Sequence, residues 1–258
     1  MKQEIMSIIE NNRVTKDVHE IVLRGKLVAE MKIPGQFLNI KVPREDLILR
    51  RPISLAAIDQ HNQTCTVLIR SEGQGTKSIC AMKVGSSLDV MGPLGHGFNY
   101  DFLNSGESAL LIGGGIGIPP LFELAKQLVD HGINVTSVLG FTTKNAIFYE
   151  RQFNEYSEVF ISTDDGSYGT HGTVATLLSG HLADKTYSTI YACGPKGLNR
   201  MVNQNYKNHP NAYISLEERM ACGMGACAAC VCQRQDDPTK NEKVCDHGPV
   251  FRAGEMVI

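Results

Sequence analysis

Nowhere in this chain of 258 residues do apolar residues run on for the roughly 18 positions that a membrane-spanning helix needs. The most apolar segment, residues 109–121, is broken by four glycines and two prolines. A charge excess is missing too. The 25 Lys+Arg stand against 27 Asp+Glu, a net charge of -2, so the chain lacks the basic footprint that nucleic acid or an anionic membrane surface attracts. The expected partners are therefore small ligands and other proteins, with no nucleic acid and no membrane. Met1-Lys2-Gln3-Glu4-Ile5-Met6 mixes charge and offers neither a long apolar stretch nor a small-residue cleavage site, so no secretory leader is expected. Internal repeats and low-complexity tracts are likewise absent.

What is present is the composition of a folded protein. With 42% hydrophobic and 20% charged residues, the chain can build a real core. Its length suits one large domain, or two ordinary ones and a small appendage. Eight cysteines without a leader imply a reducing cytoplasm, where thiols serve metal or redox chemistry.

Five of those cysteines fall near the carboxyl end. Cys222, Cys227, Cys230 and Cys245 read C-x4-C-x2-C followed by a distant fourth thiol, the plant-type spacing for a 2Fe-2S cluster. The Gly and Ala residues between Cys222 and Cys230 let the backbone come close to the sulfurs. Cys232 is the extra one and reads as a small apolar strand residue. Zinc or disulfides are the alternatives. Zinc sites usually come as two short C-x2-C pairs, which a gap of four followed by two fits poorly.

Up to about Val90 the pattern is short and β-like. Residues 20–27, 36–42 and 64–70 alternate partially with period two and are bounded by Gly, Pro, Asp or Asn, as in an antiparallel sandwich or barrel. After Gly92-Pro93-Leu94-Gly95-His96-Gly97-Phe98 the rhythm changes. Apolar strands near 108–112, 134–140, 158–162 and 189–193 alternate with helical patterns, including one near 120–130, which predicts a parallel sheet with crossover helices. A last strand near 212–216 leads into the cysteine loop. The remaining 40 or so residues are too few for a core of their own and would need the cluster as a staple. The fold class expected is thus α+β and multi-domain: an antiparallel β-barrel over 1–100, an α/β parallel-sheet nucleotide domain over 101–213, and a small cluster domain over 214–258.

Several turns carry phosphate chemistry. Gly113-Gly114-Gly115-Ile116-Gly117-Ile118-Pro119-Pro120 follows a buried strand and opens a helix, the arrangement in which a diphosphate lies on the backbone at a helix N-terminus. The strict G-x-G-x-x-G pattern fails. Gly115, Gly117 and Pro120 give G-x-G-x-x-P instead, with proline in the first helical turn, where its missing N–H costs nothing. Arg50-Arg51-Pro52-Ile53-Ser54 offers a bidentate phosphate clamp and a hydroxyl for a heteroaromatic nitrogen; a solvated arginine pair at a strand end is the ordinary alternative. Leu68-Ile69-Arg70 ends a strand, and the chain then passes through two glycines into a helix for which Thr76 is the expected N-cap, with amides facing an anion. Two phosphate-competent sites suggest two dinucleotides.

Cys193-Gly194-Pro195 ends a parallel strand where ligands of such sheets sit. Cys193 reads either as a nucleophile, with no obvious His or acid beside it, or as a small residue leaving room for a flat ring. Thr163-Asp164-Asp165-Gly166 suits a ribose contact or a plain turn equally. Glu217 and Glu218 read mainly as solvated. His96, His171, His181, His209 and His247 show no metal spacing.

Together these motifs resemble the ferredoxin-NADP reductase superfamily. Arg51-Pro52-Ile53-Ser54 resembles its R-x-[YF]-S flavin motif, with proline and isoleucine departing from the central pair. Gly75-Thr76 resembles the flavin-phosphate turn, residues 92–98 resemble the G-P-x-G-x-F segment joining the domains, and Gly115 to Pro120 with Cys193-Gly194-Pro195 resemble the pyridine-nucleotide motifs. With the cysteine tail from Glu217 to Cys230, the whole chain is similar to the electron transfer subunits of class B dihydroorotate dehydrogenases. That resemblance implies bound FAD, a 2Fe-2S cluster, NAD as electron acceptor, and an FMN-containing catalytic subunit that oxidises dihydroorotate, in a heterotetramer of two of each chain, serving pyrimidine biosynthesis. The residues it points to for the dinucleotides are Arg51, Pro52, Ile53, Ser54, Leu68, Ile69, Arg70, Gly75 and Thr76 in the barrel, and Gly113, Gly115, Gly117, Pro120, Cys193 and Gly194 in the sheet. Cys222, Cys227, Cys230 and Cys245 would hold the cluster. NAD rather than NADP rests on the resemblance alone, since Lys144 is the one cation near the expected ribose. Two rival readings share many of these features: the flavin subunit of a sulfhydrogenase or transhydrogenase-type complex, and a redox-sensing or zinc-stabilised binding module without turnover.

Overall fold

The computed structural model describes residues 2–258; Met1, where the expected first domain begins, lies outside them. Six antiparallel strands close a barrel: β1 (Lys2–Arg13), β2 (Val18–Arg24), β3 (Phe37–Ile40), β4 (Arg51–Asp59), β5 (Thr64–Arg70) and β6 (Ser87–Leu94), in the order β1-β2-β5-β4-β3-β6. Period-two alternation sends Met6, Ile8, Ile21, Leu23, Leu38, Ile40, Leu55, Val67 and Val90 inward, where all are fully buried. Closure removes the sheet edges. The strand expected over 20–27 stops at Arg24, because Lys26–Glu30 turns into a 3-10 helix that folds Leu27 and Val28 onto the barrel.

Helix α1 (Gln74–Cys80) leaves the end of β5. Its N-cap is Gly73, not Thr76. Thr76 lies inside the first turn and its hydroxyl bonds back to the Gly73 carbonyl at 3.2 Å, so the cap lies three residues before the expected position. The Gly92-Pro93 step belongs to β6 itself.

The second part is a parallel sheet. Its elements are β7 (Ser108–Gly114), α2 (Pro119–Asp130), β8 (Asn134–Phe141), α3 (Glu150–Phe153), β9 (Glu158–Thr163), β10 (Thr170–His171), α4 (Val174–Ser179), β11 (Thr189–Cys193), α5 (Lys196–Tyr206) and β12 (Ala212–Ser215). Strand order is β10-β9-β8-β7-β11-β12. Chain progression runs outward from β7 in one direction and resumes on its other side with β11, so the topological switch point lies between β7 and β11, where such sheets bind ligands. Successive β7 residues face opposite ways. Ala109 and Leu111 pack under α2 with Leu121, Leu124 and Leu128, while Leu110 and Ile112 face α4 and α5 through Leu177 and Val202.

The carboxyl-terminal residues add β13 (Val231–Gln233) and β14 (Asn241–Lys243), which pair with each other, and β15 (Val250–Arg252), which pairs antiparallel with β12 as the seventh strand of the large sheet. These residues build no separate core, as their small number led one to expect. Cys230, Cys232, Val244, Cys245 and Phe251 share one buried cluster with Ile190, Ile214 and Val202 of the sheet domain and with Phe37, Met91 and Leu94 of the barrel. A boundary at 213/214 falls inside β12.

Barrel and sheet are locked together by a buried carboxylate. Glu123 on α2, only 3% exposed, accepts the Ile58 amide of β4 at 2.9 Å, Lys126 Nζ at 3.0 Å and Gln127 Nε2 at 2.8 Å. The β4–β5 ladder shifts register just ahead of Ile58, between Leu55 and Ala57, and β3 pairs with β4 only as far as Ser54. Tyr149 adds a second bridge, its hydroxyl donating to the Glu20 carboxylate of β2. Glu123→Ala is expected to lower unfolding stability by about 1–3 kcal/mol, since it strands a buried amide. Thermal denaturation checks this, with Glu123→Gln, which keeps an acceptor, falling between wild type and Ala.

Candidate functional site

In the barrel, the two arginines of Arg50-Arg51 have separate fates. Arg50 is tied into the fold: Nη1 donates to the carbonyls of Asn39 at 3.2 Å and Asp89 at 3.1 Å, and Nη2 pairs with the Asp89 carboxylate at 2.9 Å. Arg51 donates only through Nη1, to Leu49 O at 2.6 Å and Arg50 O at 3.3 Å. Its Nε and Nη2 lie over the first turn of α1, where a Cβ on Gly75 would meet both at 2.6 Å. A cation with free donors therefore hangs above unpaired helix amides, a place where an anionic phosphate would be held from two sides. Pro52, Ile53 and Ser54 follow along β4, all half-buried, and Ser54 lies opposite Phe37. Leu68 and Ile69 are buried, whereas Arg70 at the end of β5 is half-buried.

The second anion cradle is the turn after β7. Gly115 has φ +50 and begins a short 3-10 turn through Gly117, after which α2 starts at Pro119, with both prolines in its first turn. Gly117 runs flush against the end of β11, where an added Cβ would meet the Cys193 carbonyl oxygen at 2.5 Å and Gly194 Cα at 2.6 Å. Gly113 pairs with Cys193 across the β7–β11 ladder. The sequence-expected residues Gly113, Gly115, Gly117, Pro120, Cys193 and Gly194 are thus brought to one corner, at the switch point. Arg70 joins it from the barrel, since a Cβ on Gly115 would lie 3.1 Å from Arg70 Nη2. The two cradles are neighbours.

Ser215 is the hydrogen-bonding neighbour of the Cys193 thiol, and the Glu217 carboxylate acts on it through charge. The thiol is pushed up to about 12, first by burial, against the hydroxyl of Ser215, and it faces Ser215 in the β11–β12 ladder. A nucleophilic role does not fit such a thiol, and the small-residue reading does. Glu218 pairs with Lys196 at 2.9 Å, and Glu217 is exposed.

The third site is the cysteine loop. Main-chain amides point at the sulfurs: Cys222 N to Cys227 Sγ at 3.5 Å, Met224 N to Cys222 Sγ at 3.4 Å, Gly225 N to Cys245 Sγ at 3.2 Å and Cys245 N to Cys230 Sγ at 3.4 Å. Burial works to raise the Cys222 thiol, yet the Met224 amide and the Cys227 contacts bring it down to about 7. Burial, with the Cys230 thiol beside it, pushes Cys245 up to about 12. Two of these amide contacts link the cysteines in pairs, Cys222 with Cys227 and Cys230 with Cys245. Among the described residues no three His, Cys, Asp or Glu side chains converge as one metal ion requires. Two pairs ringed by amides fit a two-iron cluster, which takes two sulfurs at each iron, better than a single tetrahedral zinc. Cys227 is exposed, and Cys230 and Cys245 are buried. Cys232 lies in β13 and is buried, an apolar strand residue.

Two features of this loop were missed in the sequence. Lys243 Nζ donates to the Gly225 carbonyl at 2.6 Å, and Asn39 of the barrel donates to the Cys222 carbonyl at 3.1 Å. The signal for the latter was an Asn in a strand whose every residue is buried, a position that demands a partner.

Comparison with known proteins agrees with this layout. Residues 6–100 match an oxidoreductase FAD-binding domain, residues 111–204 an oxidoreductase NAD-binding domain, and residues 217–257 the iron-sulfur cluster binding domain of dihydroorotate dehydrogenase B. The dihydroorotate dehydrogenase B (NAD(+)) electron transfer subunit of Enterococcus faecalis strain ATCC 700802 / V583 is 47% identical over 260 aligned residues, covering 100% of this chain and 99% of the relative. The chain belongs to this family. Its counterpart in Geobacillus sp. strain WCH70 is 49% identical, with both chains covered completely. Among solved structures, an NADH-dependent reduced ferredoxin-NADP oxidoreductase that works by flavin-based electron bifurcation superposes with a TM-score of 0.87 at 26% identity, over 98% of this chain and 90% of that one. As a dihydroorotate dehydrogenase B electron transfer subunit, the chain carries domains for FAD, NAD and an iron-sulfur cluster. No helix among the described residues is long and apolar enough to cross a membrane.

With its pKa raised by burial, the Cys193 thiol stays almost wholly protonated at pH 8. Iodoacetamide at that pH is expected to leave Cys193 unlabelled in the native protein and to label it after unfolding, as read by peptide mass spectrometry.

Proposed function

We propose that this chain takes electrons from an FMN-containing catalytic subunit that oxidises dihydroorotate, and delivers them through its own cluster and FAD to NAD. The two chains would form a heterotetramer with two copies of each, acting in the cytoplasm in pyrimidine biosynthesis. The observation that carries the reading is the combination in one chain of two adjacent anion cradles with a loop of paired, amide-ringed cysteines. Residues 1–100, 101–213 and 214–258 serve in this reading as the FAD, NAD and cluster segments. The match of separate family models to 6–100, 111–204 and 217–257 supports that division.

A bound FAD supplies exchange between the hydride pair of a nicotinamide and the single electrons that a 2Fe-2S cluster carries. The work of the chain is placement and charge. Arg51, with Nε and Nη2 free, neutralises the FAD phosphates together with the amides near Gly75 and Thr76. Pro52 stiffens the strand, the Ser54 hydroxyl bonds the flavin ring, and Ile53, Leu68, Ile69 and Arg70 line the same cleft. Gly113, Gly115, Gly117 and Pro120 hold the NAD diphosphate on the start of α2. Cys193 and Gly194 keep the corner shallow enough for the nicotinamide ring. Cys222, Cys227, Cys230 and Cys245 would hold the cluster, which supplies one-electron transfer. The sum balances as dihydroorotate plus NAD+ giving orotate, NADH and a proton.

The layout is shared with a bifurcating oxidoreductase. The far higher identity to dihydroorotate dehydrogenase B electron transfer subunits favours the present reading. Copurification of the native complex tests it, with an FMN-bearing dihydroorotate oxidase as the expected companion and a hydrogenase or second pyridine-nucleotide flavoprotein as the result against it. Cys227→Ala is expected to abolish orotate formation coupled to NAD while leaving NADH-driven dye reduction through FAD near the wild-type rate. Orotate-coupled turnover in that variant would contradict the path. Arg51→Gln removes a charge-assisted contact and should weaken FAD binding about ten- to a hundredfold, measured by flavin release on dilution.

A further inference from the structure

The strand that pairs with the proposed flavin strand also grips the cysteine loop. Asn39 lies on β3 directly opposite Pro52 of β4. Its side chain is 1% exposed and crosses out of the barrel, Nδ2 donating at 3.1 Å to the carbonyl oxygen of Cys222, a residue 183 positions further along the chain. The fit leaves no slack: Gly223 has φ +70, and a Cβ there would lie 2.4 Å from Asn39 Nδ2. No larger residue reaches this left-handed turn without pushing the loop away from β3.

Asn39 is held from behind. Its own carbonyl accepts Arg50 Nη1 at 3.2 Å, and the same guanidinium is fastened to Asp89 of β6 through the Asp89 carbonyl at 3.1 Å and carboxylate at 2.9 Å. Gln3 of β1 also donates to that carboxylate, at 2.8 Å. The anchor thus extends over β1, β6, β3 and β4. By packing alone an apolar side chain would suit this position better, because Asn39 Oδ1 is buried without a partner and burying a polar group without its hydrogen bonds costs free energy. What the amide provides in return is a directed bond to the main chain of a sulfur-bearing residue.

We infer that Asn39 is a positioning residue for electron transfer, fixing the Cys222–Cys227 side of the cluster against the β3–β4 strand pair and thereby setting the gap between cluster and flavin. This rests on the cluster and flavin reading proposed above. The bond reaches the loop at Cys222, whose sulfur already accepts the Met224 amide at 3.4 Å and whose own amide points to Cys227 Sγ at 3.5 Å. A slack Cys222 carbonyl therefore changes both the distance from the barrel and the pattern of amides around two sulfurs. Electron transfer between separate carriers falls off exponentially with distance, so a gap lengthened by slack in this bond slows transfer severalfold.

The test uses the full chain loaded with FAD, iron and sulfide. Asn39→Leu has similar volume, so the barrel is expected to keep its FAD content and its rate of FAD reduction by NADH. Electron passage from reduced FAD to the cluster, followed by stopped-flow absorbance, is expected to slow severalfold, and the electron paramagnetic resonance signal of the dithionite-reduced cluster is expected to shift. Gly223→Ala approaches the same contact from the loop side and should produce the same pair of changes with FAD retained. Wild-type transfer and an unchanged resonance signal in Asn39→Leu would overturn the inference, as would loss of FAD in step with loss of transfer, which would make Asn39 a general barrel residue. A wild-type protein without any cluster signal would instead remove the cluster reading beneath it.

Discussion

Buried hydrogen bonds that pass from one domain to another are the interactions on which this molecule depends. Glu123 reaches from α2 to the Ile58 amide of β4, Tyr149 reaches from the sheet domain to Glu20 of β2, and Asn39 reaches from β3 to the Cys222 carbonyl. Each joins groups far apart in sequence in a low-dielectric setting, where a satisfied bond is strong and a missing one is costly. Apolar contact alone would let three units slide. Directed bonds fix how they sit, and electron transfer between separate carriers asks for that fixity more than for stability.

The same economy appears in the use of the two strands that carry the flavin motif. Adjacent arginines on one turn divide the labour, Arg50 spent on holding β3 and β6 and Arg51 left with its Nε and Nη2 unengaged. Arg70, at the end of the next strand, stands between the barrel and the glycine turn of the sheet, with only long ion pairs to Asp17 and Glu72 at 3.5 Å. Cations that the fold does not consume are gathered at the places where phosphates are proposed to lie, although the chain as a whole is close to neutral.

The chemistry was more legible in the sequence than the joints. Cysteine spacing is set by the geometry of iron coordination, and the turn from Gly113 to Pro120 by the close approach of backbone to backbone at Cys193, so both are written in local residue order. The strands at 64–70 and 189–193 were likewise plain, each a compact apolar run between turn residues. Thr76 misled because its hydroxyl has the chemistry of a cap, whereas Gly73 reaches the N-cap position by backbone conformation alone. Strands β1 and β4 carry too many polar and half-buried residues to alternate cleanly, and only the closed barrel gives them partners. The tail was expected to rely on its metal. It is also joined by packing: Phe251 and Cys232 enter a core already built by Ile190 and Ile214, a pairing across the chain that no local pattern announces. Asn39 showed only as a lone amide among apolar neighbours, and its partner, 183 residues on, was hidden for the same reason.

The strand β15 has a consequence of a different kind. By lying antiparallel on β12, with Ala253 N bonded to the Ala212 carbonyl at 2.8 Å, it occupies the hydrogen-bonding groups of what would otherwise be the open margin of a parallel sheet. Exposed margins of that sort recruit strands from other molecules. Polypeptides clipped ahead of residue 250 would therefore suffer twice, losing cover over a sticky border at the same time as the hold on their sulfur loop, and quality control would meet them as aggregates rather than as inactive monomers.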